Sequence, residues 1–253
     1  MTATLPAPPA PTARRCVLSQ PVAVATILSV LAAANLLNNH LAVPAYVATS
    51  LVAAALVLLA HRFAGGTWDQ AGLGPGALPR GARWALRLAA AVAVCYLAAA
   101  LLPATRTLFL DPRVEHAGTA TIAYQVLVRI PLGTVLLEEI AFRGVLFGLV
   151  QRTRGVAWAT IISCTLFALW HVPPALHVAN ANRTLTLGAP TAAAVTVALV
   201  GAALAGLALC ELRRRTGSLL APAGLHWATN ALGYLTATVL IGGPLTQAVP
   251  PTR

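Results

Sequence analysis

Apolar residues run along this chain in blocks of about twenty, separated by short polar clusters, which is the pattern of helices that cross a bilayer. Seven such segments can be drawn, at about 17–37, 42–61, 84–102, 130–150, 155–171, 190–211 and 218–241. In lipid only helices and closed barrels satisfy the backbone, and these runs lack the alternation of barrel strands. The pattern therefore predicts an all-α polytopic membrane protein, with about seven transmembrane helices in one bundle. Residues 1–15 form a Pro/Ala-rich flexible tail, 16–118 hold the first three spans, 119–242 the last four, and 243–253 a C-terminal tail. An Ala32-Ala33-Ala34 stretch resembles a signal-peptidase site, so a cleaved first segment stays open.

Composition agrees: 58% of the 253 residues are hydrophobic and only 9% charged, too little polar surface for a soluble globule of this size. The net charge of +11 comes from arginine alone, and the arginines are dispersed at span ends instead of forming one stripe, which excludes a nucleic-acid partner. The lysine-free, alanine-rich composition points to a bacterial plasma membrane. Arg14 and Arg15, then Arg62, Arg80, Arg83 and Arg87, then Arg152 and Arg154, then Arg213, Arg214 and Arg215 occupy every second loop. By the positive-inside rule the N-terminus is cytoplasmic and the C-terminus outside. Cys16, Cys95, Cys164 and Cys210 have neither C-x-x-C spacing nor a disulfide pattern, and read as small hydrophobes.

Against this background the fourth span is unusual. Two of the chain's six acidic residues, Glu138 and Glu139, stand side by side within the apolar run Ile130 to Val150. A charge at the bilayer centre costs about 2.5–3.5 kcal/mol on insertion scales, so the pair must face protein, water or a counter-charge. Arg143 lies at i+4 from Glu139 and supplies one. Glu138 is then left for other work, such as taking a proton from water. A buried salt bridge that only sets helix register is the bland alternative.

Two further spans carry polar groups at comparable depth. Phe167-x-x-x-His171 ends the fifth span before Pro173 and Pro174, and His226-x-x-x-Asn230 lies in the seventh. At 1.5 Å per helical residue, Glu138 lies about 20 Å from Arg152, His171 about 25 Å from Arg154, and His226 and Asn230 about 16–22 Å from Arg215. One layer of the membrane can thus hold an acid, two imidazoles and a carboxamide. Such a set can hydrolyse an acyl bond: Glu138 deprotonates water, a histidine orients it, and His226 and Asn230 donate to the oxyanion. Glu138, His171 and His226 can instead hold a zinc ion with an open position for water. Spacing does not choose between the two, although no His-Glu-x-x-His helix is present. His40, His61 and His116 read as solvated or interfacial, His177 as a residue beyond the double proline, and Arg129 with Pro131 as the outer boundary of the fourth span. The Gly72–Gly76 stretch has no nucleotide-loop register.

The ordered set Glu138-Glu139-x-x-x-Arg143, Phe167-x-x-x-His171 and His226-x-x-x-Asn230, with Phe142 and Gly144 flanking the arginine and Gly217-Ser218-Leu219 leading into the last motif, resembles the CPBP family of intramembrane proteases. These are the CAAX prenyl endopeptidases and the related bacteriocin-processing or immunity proteins. The resemblance spans about Ala120 to Leu235 and makes 119–242 the protease core. It implies a bundle around a conical wet cavity and a membrane-associated protein or peptide substrate cut near its C-terminus. Glu138 would activate water with His171, His226 and Asn230 would stabilise the oxyanion, and Glu139, Arg143 and Phe167 would support them. The family is nominally metallopeptidase, so zinc stays open, although activation of water by glutamate needs no ion. A non-catalytic immunity or peptide-binding protein of the same fold is the alternative. A proton relay or transporter is disfavoured by the absence of inverted repeats.

Overall fold

The computed structural model describes residues 17–41, 43–109, 114, 117–181 and 190–242. Arg14, Arg15, Cys16, Arg113, His116 and Arg183 lie outside them. The described residues form helices and connecting turns, with no strand. In chain order the long helices are α1 (Gln20–Leu36, continued by a π turn Leu37–Leu41), α2 (Tyr46–Phe63), α3 (Leu78–Leu101), α4 (119–154), α5 (156–170), α6 (Val172–Ala181), α7 (Thr191–Thr216) and α8 (Leu220–Gly242). Each of the segments drawn from the sequence overlaps one of these. Among the described residues five continuous stretches are long and apolar enough to cross a membrane: Gln20–Leu41, Tyr46–Phe63, Pro75–Leu101, Thr119–Ala179 and Thr191–Thr216.

The stretch Thr119–Ala179 is not one rod. Gly155 breaks it with φ 81° and ψ 177°, a region essentially closed to residues with a Cβ, and there the chain turns from α4 into α5. A second glycine in positive φ, Gly217 at 69°, closes α7 as a left-handed C-terminal cap.

α4 is the axis of the bundle. Every residue from 137 to 150 is buried, as expected of a helix surrounded on all sides. α1 and α2 clasp one side of it: Ala23, Ile27 and Leu31 of α1 and Ala53, Ala54 and Val57 of α2 share a core with Leu137, Ile140, Phe142, Val145 and Leu149. α8 covers another side through Trp227 and Ala231, which pack on Val126, Ile130 and Val135. α3 is the outer layer. It rests on α8 where Gly224 admits Ala85, since a Cβ on Gly224 would stand 2.3 Å from the Ala85 Cβ. Association in lipid relies on such close approach of small residues, because the lipid tails are as apolar as the side chains.

Three expectations need correction. α4 begins at Thr119, so Arg129 and Pro131 do not mark its start. Pro131 sits inside a π-helical stretch, Gln125–Val135, whose wider hydrogen-bond ladder tolerates the missing N–H. Pro173 and Pro174 end α5 but also open α6, where proline's missing donor has no cost. His61 is not solvated: it is fully buried, with Nε2 3.0 Å from the Thr67 carbonyl oxygen. The reason is the 64–77 connection, which folds back over the end of α4. Gly148 and Gly144 make room for it, since added Cβ atoms would stand 2.6 Å from the Gln70 carbonyl oxygen and 3.1 Å from that of Ala71.

Candidate active site

Glu138 and Glu139 enter the core of the bundle on α4, where a short α-helical turn passes into a second π-helical stretch, Glu139–Leu146. Such stretches inside α-helices are rare and concentrate at functional sites. Both carboxylates are almost wholly buried, at 3% and 1% exposure, so their partners decide whether they are tolerable there.

Glu139 has two polar partners, one of them a cation. Its Oε1 accepts from Arg143 Nη1 at 3.1 Å and lies 2.8 Å from Nδ1 of His226 on α8. Arg143 is fully buried, and its guanidinium carbon stands 3.8 Å above the Phe167 ring. One carboxylate thus neutralises the arginine and aims an imidazole, while the ring covers the cation's other face. Gly206 of α7 completes this contact, because a Cβ there would meet Arg143 Nη2 at 3.3 Å.

Glu138 is held differently. Its Oε1 accepts from the indole N–H of Trp170 at 3.0 Å. Its Oε2 is buried without a hydrogen-bond partner, 4.0 Å from His171 Nε2 and 3.8 Å from His226 Nε2. The far nitrogens of both imidazoles are engaged: His171 Nδ1 lies 2.8 Å from the Phe167 carbonyl oxygen, and His226 Nδ1 contacts Glu139. An N–H at Nδ1 of His171 therefore donates to that carbonyl, which turns Nε2 toward Glu138. His171 occupies the C-terminal cap of α5, with φ −84° and ψ −1°, and its side chain is 29% exposed, while that of His226 is 8% exposed. The acid is deep and one of its neighbours is open to the outside of the fold.

Glu138, Glu139, Arg143, Phe167, His171 and His226 therefore meet in one cluster. Asn230 lies one helical turn beyond His226, is exposed, and makes no hydrogen bond among the described residues. His40 and His177 are exposed and apart from the cluster. Trp170 had no role in the sequence reading. The signal for it was available, since an indole within an apolar span must find an acceptor for its N–H. Trp170 also lines an apolar groove of about 430 Å³ between α1 and α5, with Leu28, Leu31, Leu166 and Leu169 as its walls. Asn35 at its side donates to the Trp170 carbonyl at 3.0 Å. Among the described residues no group of three or more His, Cys, Asp or Glu is arranged to hold a metal ion.

Comparison with curated proteins finds no match, and neither does comparison with solved structures. A family model does match: residues 120–232 correspond to "Rce1-like: Type II CAAX prenyl endopeptidase Rce1-like". That segment begins with α4, ends in α8 and contains every residue of the cluster, so this part of the chain is similar to the type II CAAX prenyl endopeptidases.

Proposed function

We propose that this protein is an intramembrane endopeptidase in which Glu138 activates water for attack on a peptide carbonyl of a membrane-associated protein or peptide. The observation that carries the reading is the buried, unpartnered Oε2 of Glu138 beside two imidazole Nε2 atoms. A water bound there gives a proton to Oε2 while its oxygen forms a bond to the carbonyl carbon, and the carbonyl π electrons move to oxygen. His171 orients the water, and His226 and Asn230 donate to the oxyanion as it develops. Collapse of the tetrahedral species breaks the C–N bond, and the proton on Glu138 passes to the leaving amine. Glu139 keeps His226 in place and Arg143 neutralises Glu139, while the proton taken up by Glu138 offsets the charge of the oxyanion as it appears. The apolar groove between α1 and α5 accepts the hydrophobic part of the substrate, with Trp170 joining groove to acid.

No step in this scheme passes through a metal. Zinc bound by Glu138, His171 and His226 is the second reading, and chelation separates the two.

The test compares membranes carrying wild-type protein with membranes carrying Glu138→Gln, incubated with their own proteome, with new C-termini read by mass spectrometry. The expected result is a set of C-termini present only with wild type, while the variant is recovered folded from the same membranes. Equal sets from both would remove Glu138 from the chemistry.

A further inference from the structure

At the end of α4 and α7 opposite the acid cluster lies a polar pocket of about 530 Å³, whose polar lining is Asp69, Gln70, Gln151, Arg152, Arg213 and Arg214. Arg213 is its anomaly. It is 6% exposed, and Nη2 donates to the backbone carbonyls of Asp69 and Gln70 at 3.2 and 2.8 Å. Nε has no partner, and no carboxylate lies within ion-pair distance of the guanidinium among the described residues. A buried charge without a counter-charge is costly, and two carbonyl dipoles do not discharge it.

Neither nearby acid forms an ion pair with Arg213 or Arg152 among the described residues. Asp69 turns its carboxylate onto Gly74, where an added Cβ would stand only 1.7 Å from Oδ1. Glu211 holds Arg214 through both carboxylate oxygens, at 2.6 and 2.7 Å, and Arg215 as well. Arg152 stands exposed at the rim, with one long 3.4 Å contact to the Ala64 carbonyl oxygen. Arg213 and Arg152 thus line one concavity, and neither forms an ion pair with Asp69, the acid in its lining, among the described residues. The fold builds the cradle, since Gly72 leaves the room that Arg213 Nε occupies and a Cβ there would stand 2.5 Å away.

We propose that this pocket binds a phosphate-type oxyanion, with Arg213 at its base and Arg152 at its rim. Guanidinium groups bind phosphate through paired N–H donors, and basic pockets between transmembrane helices on the positive-inside face lie at the level of lipid headgroups. The same chemistry is offered by the phosphodiester of an anionic phospholipid and by free phosphate. The site is separate from the acid cluster, and its test does not depend on proteolysis.

Purified full-length protein in detergent is titrated with phosphatidylglycerol or phosphatidylcholine and followed by native mass spectrometry, and lipid-free protein is titrated with inorganic phosphate in a thermal-shift assay. Phosphatidylglycerol binding about tenfold tighter than phosphatidylcholine, a ratio equal to about 1.4 kcal/mol, with the preference lost in Arg213→Gln, assigns the lipid source. A rise in melting temperature with phosphate that disappears in Arg213→Gln, without lipid preference, assigns free phosphate. Because Arg213 also ties down the 69–70 backbone, Arg152→Gln decides if Arg213→Gln does not fold: it weakens whichever binding the wild type shows. Absence of both effects in wild type, or their persistence in Arg152→Gln and Arg213→Gln, overturns the proposal.

Discussion

The indole N–H of Trp170 holds Oε1 of Glu138 at 3.0 Å and leaves Oε2 as the oxygen that faces His171 and His226. One carboxylate oxygen is fixed and the other is left without a hydrogen-bond partner. Replacing the indole by a ring without a donor, Trp170→Phe, frees the carboxylate to rotate while keeping the packing on Phe142, whose ring centroid is 6.0 Å away. A hydrogen bond to a charged group is worth about 1.5–3 kcal/mol, so kcat for peptide cleavage is expected to fall by about 10- to 100-fold. KM should stay near the wild-type value, and steady-state kinetics on a cleavable peptide checks both.

Glu139 carries structure. Removing its charge in Glu139→Gln strands Arg143 in the core and withdraws the partner of His226 Nδ1, and breaking a buried pair in this way costs about 3–5 kcal/mol. The variant should unfold at a markedly lower temperature than Glu138→Gln, as measured by thermal denaturation in detergent. The double variant Glu139→Gln/Arg143→Met should recover part of the loss, because it no longer buries an unpaired cation.

Chelation distinguishes water activated by Glu138 alone from water activated on zinc. Prolonged treatment with 1,10-phenanthroline, followed by dialysis, is expected to leave the cleavage rate unchanged. Loss of activity that added zinc restores would instead make Glu138, His171 and His226 metal ligands.

Gly155 reverses the chain between the helix that carries the acids and the helix that carries His171. Gly155→Ala puts a Cβ on a backbone at φ 81° and ψ 177°, at a cost of about 1–3 kcal/mol, although no atom lies within 4 Å of that Cβ. Strain alone is therefore expected to lower stability. A thermal shift without a comparable change in KM for the peptide is the outcome that fits.

The chain alone determined that this protein spans a membrane, and it singled out the candidate residues Glu138, Glu139, Arg143, His171, His226 and Asn230. Blocks of apolar residues near bilayer length leave no other environment, and a Glu138-Glu139-Arg143 group inside such a block is expensive enough to read as functional without coordinates. The i and i+4 spacings of Glu139 with Arg143, of Phe167 with His171 and of His226 with Asn230 follow from helix geometry, so each motif was legible within its own helix. The positive-inside pattern also grouped Arg152, Arg213 and Arg214 on one side.

Tertiary packing decided everything that passes between helices. Which acid meets which histidine depends on how α4, α5 and α8 are rotated against one another, and a hydrophobic repeat does not encode rotation when a helix is buried on all faces, as α4 is. For that reason the Glu139–His226 contact, the indole on Glu138 and the burial of His61 under the 64–77 connection could not be read from spacing. The same holds for Arg213. In the chain it is one of three consecutive arginines at the end of a span, and only the backbone folded around Gly72 buries it without a carboxylate while Arg214 and Arg215 share Glu211. Local periodicity places a side chain on its own helix, and the partner that completes its charge or hydrogen bonds is supplied by a neighbour distant in sequence.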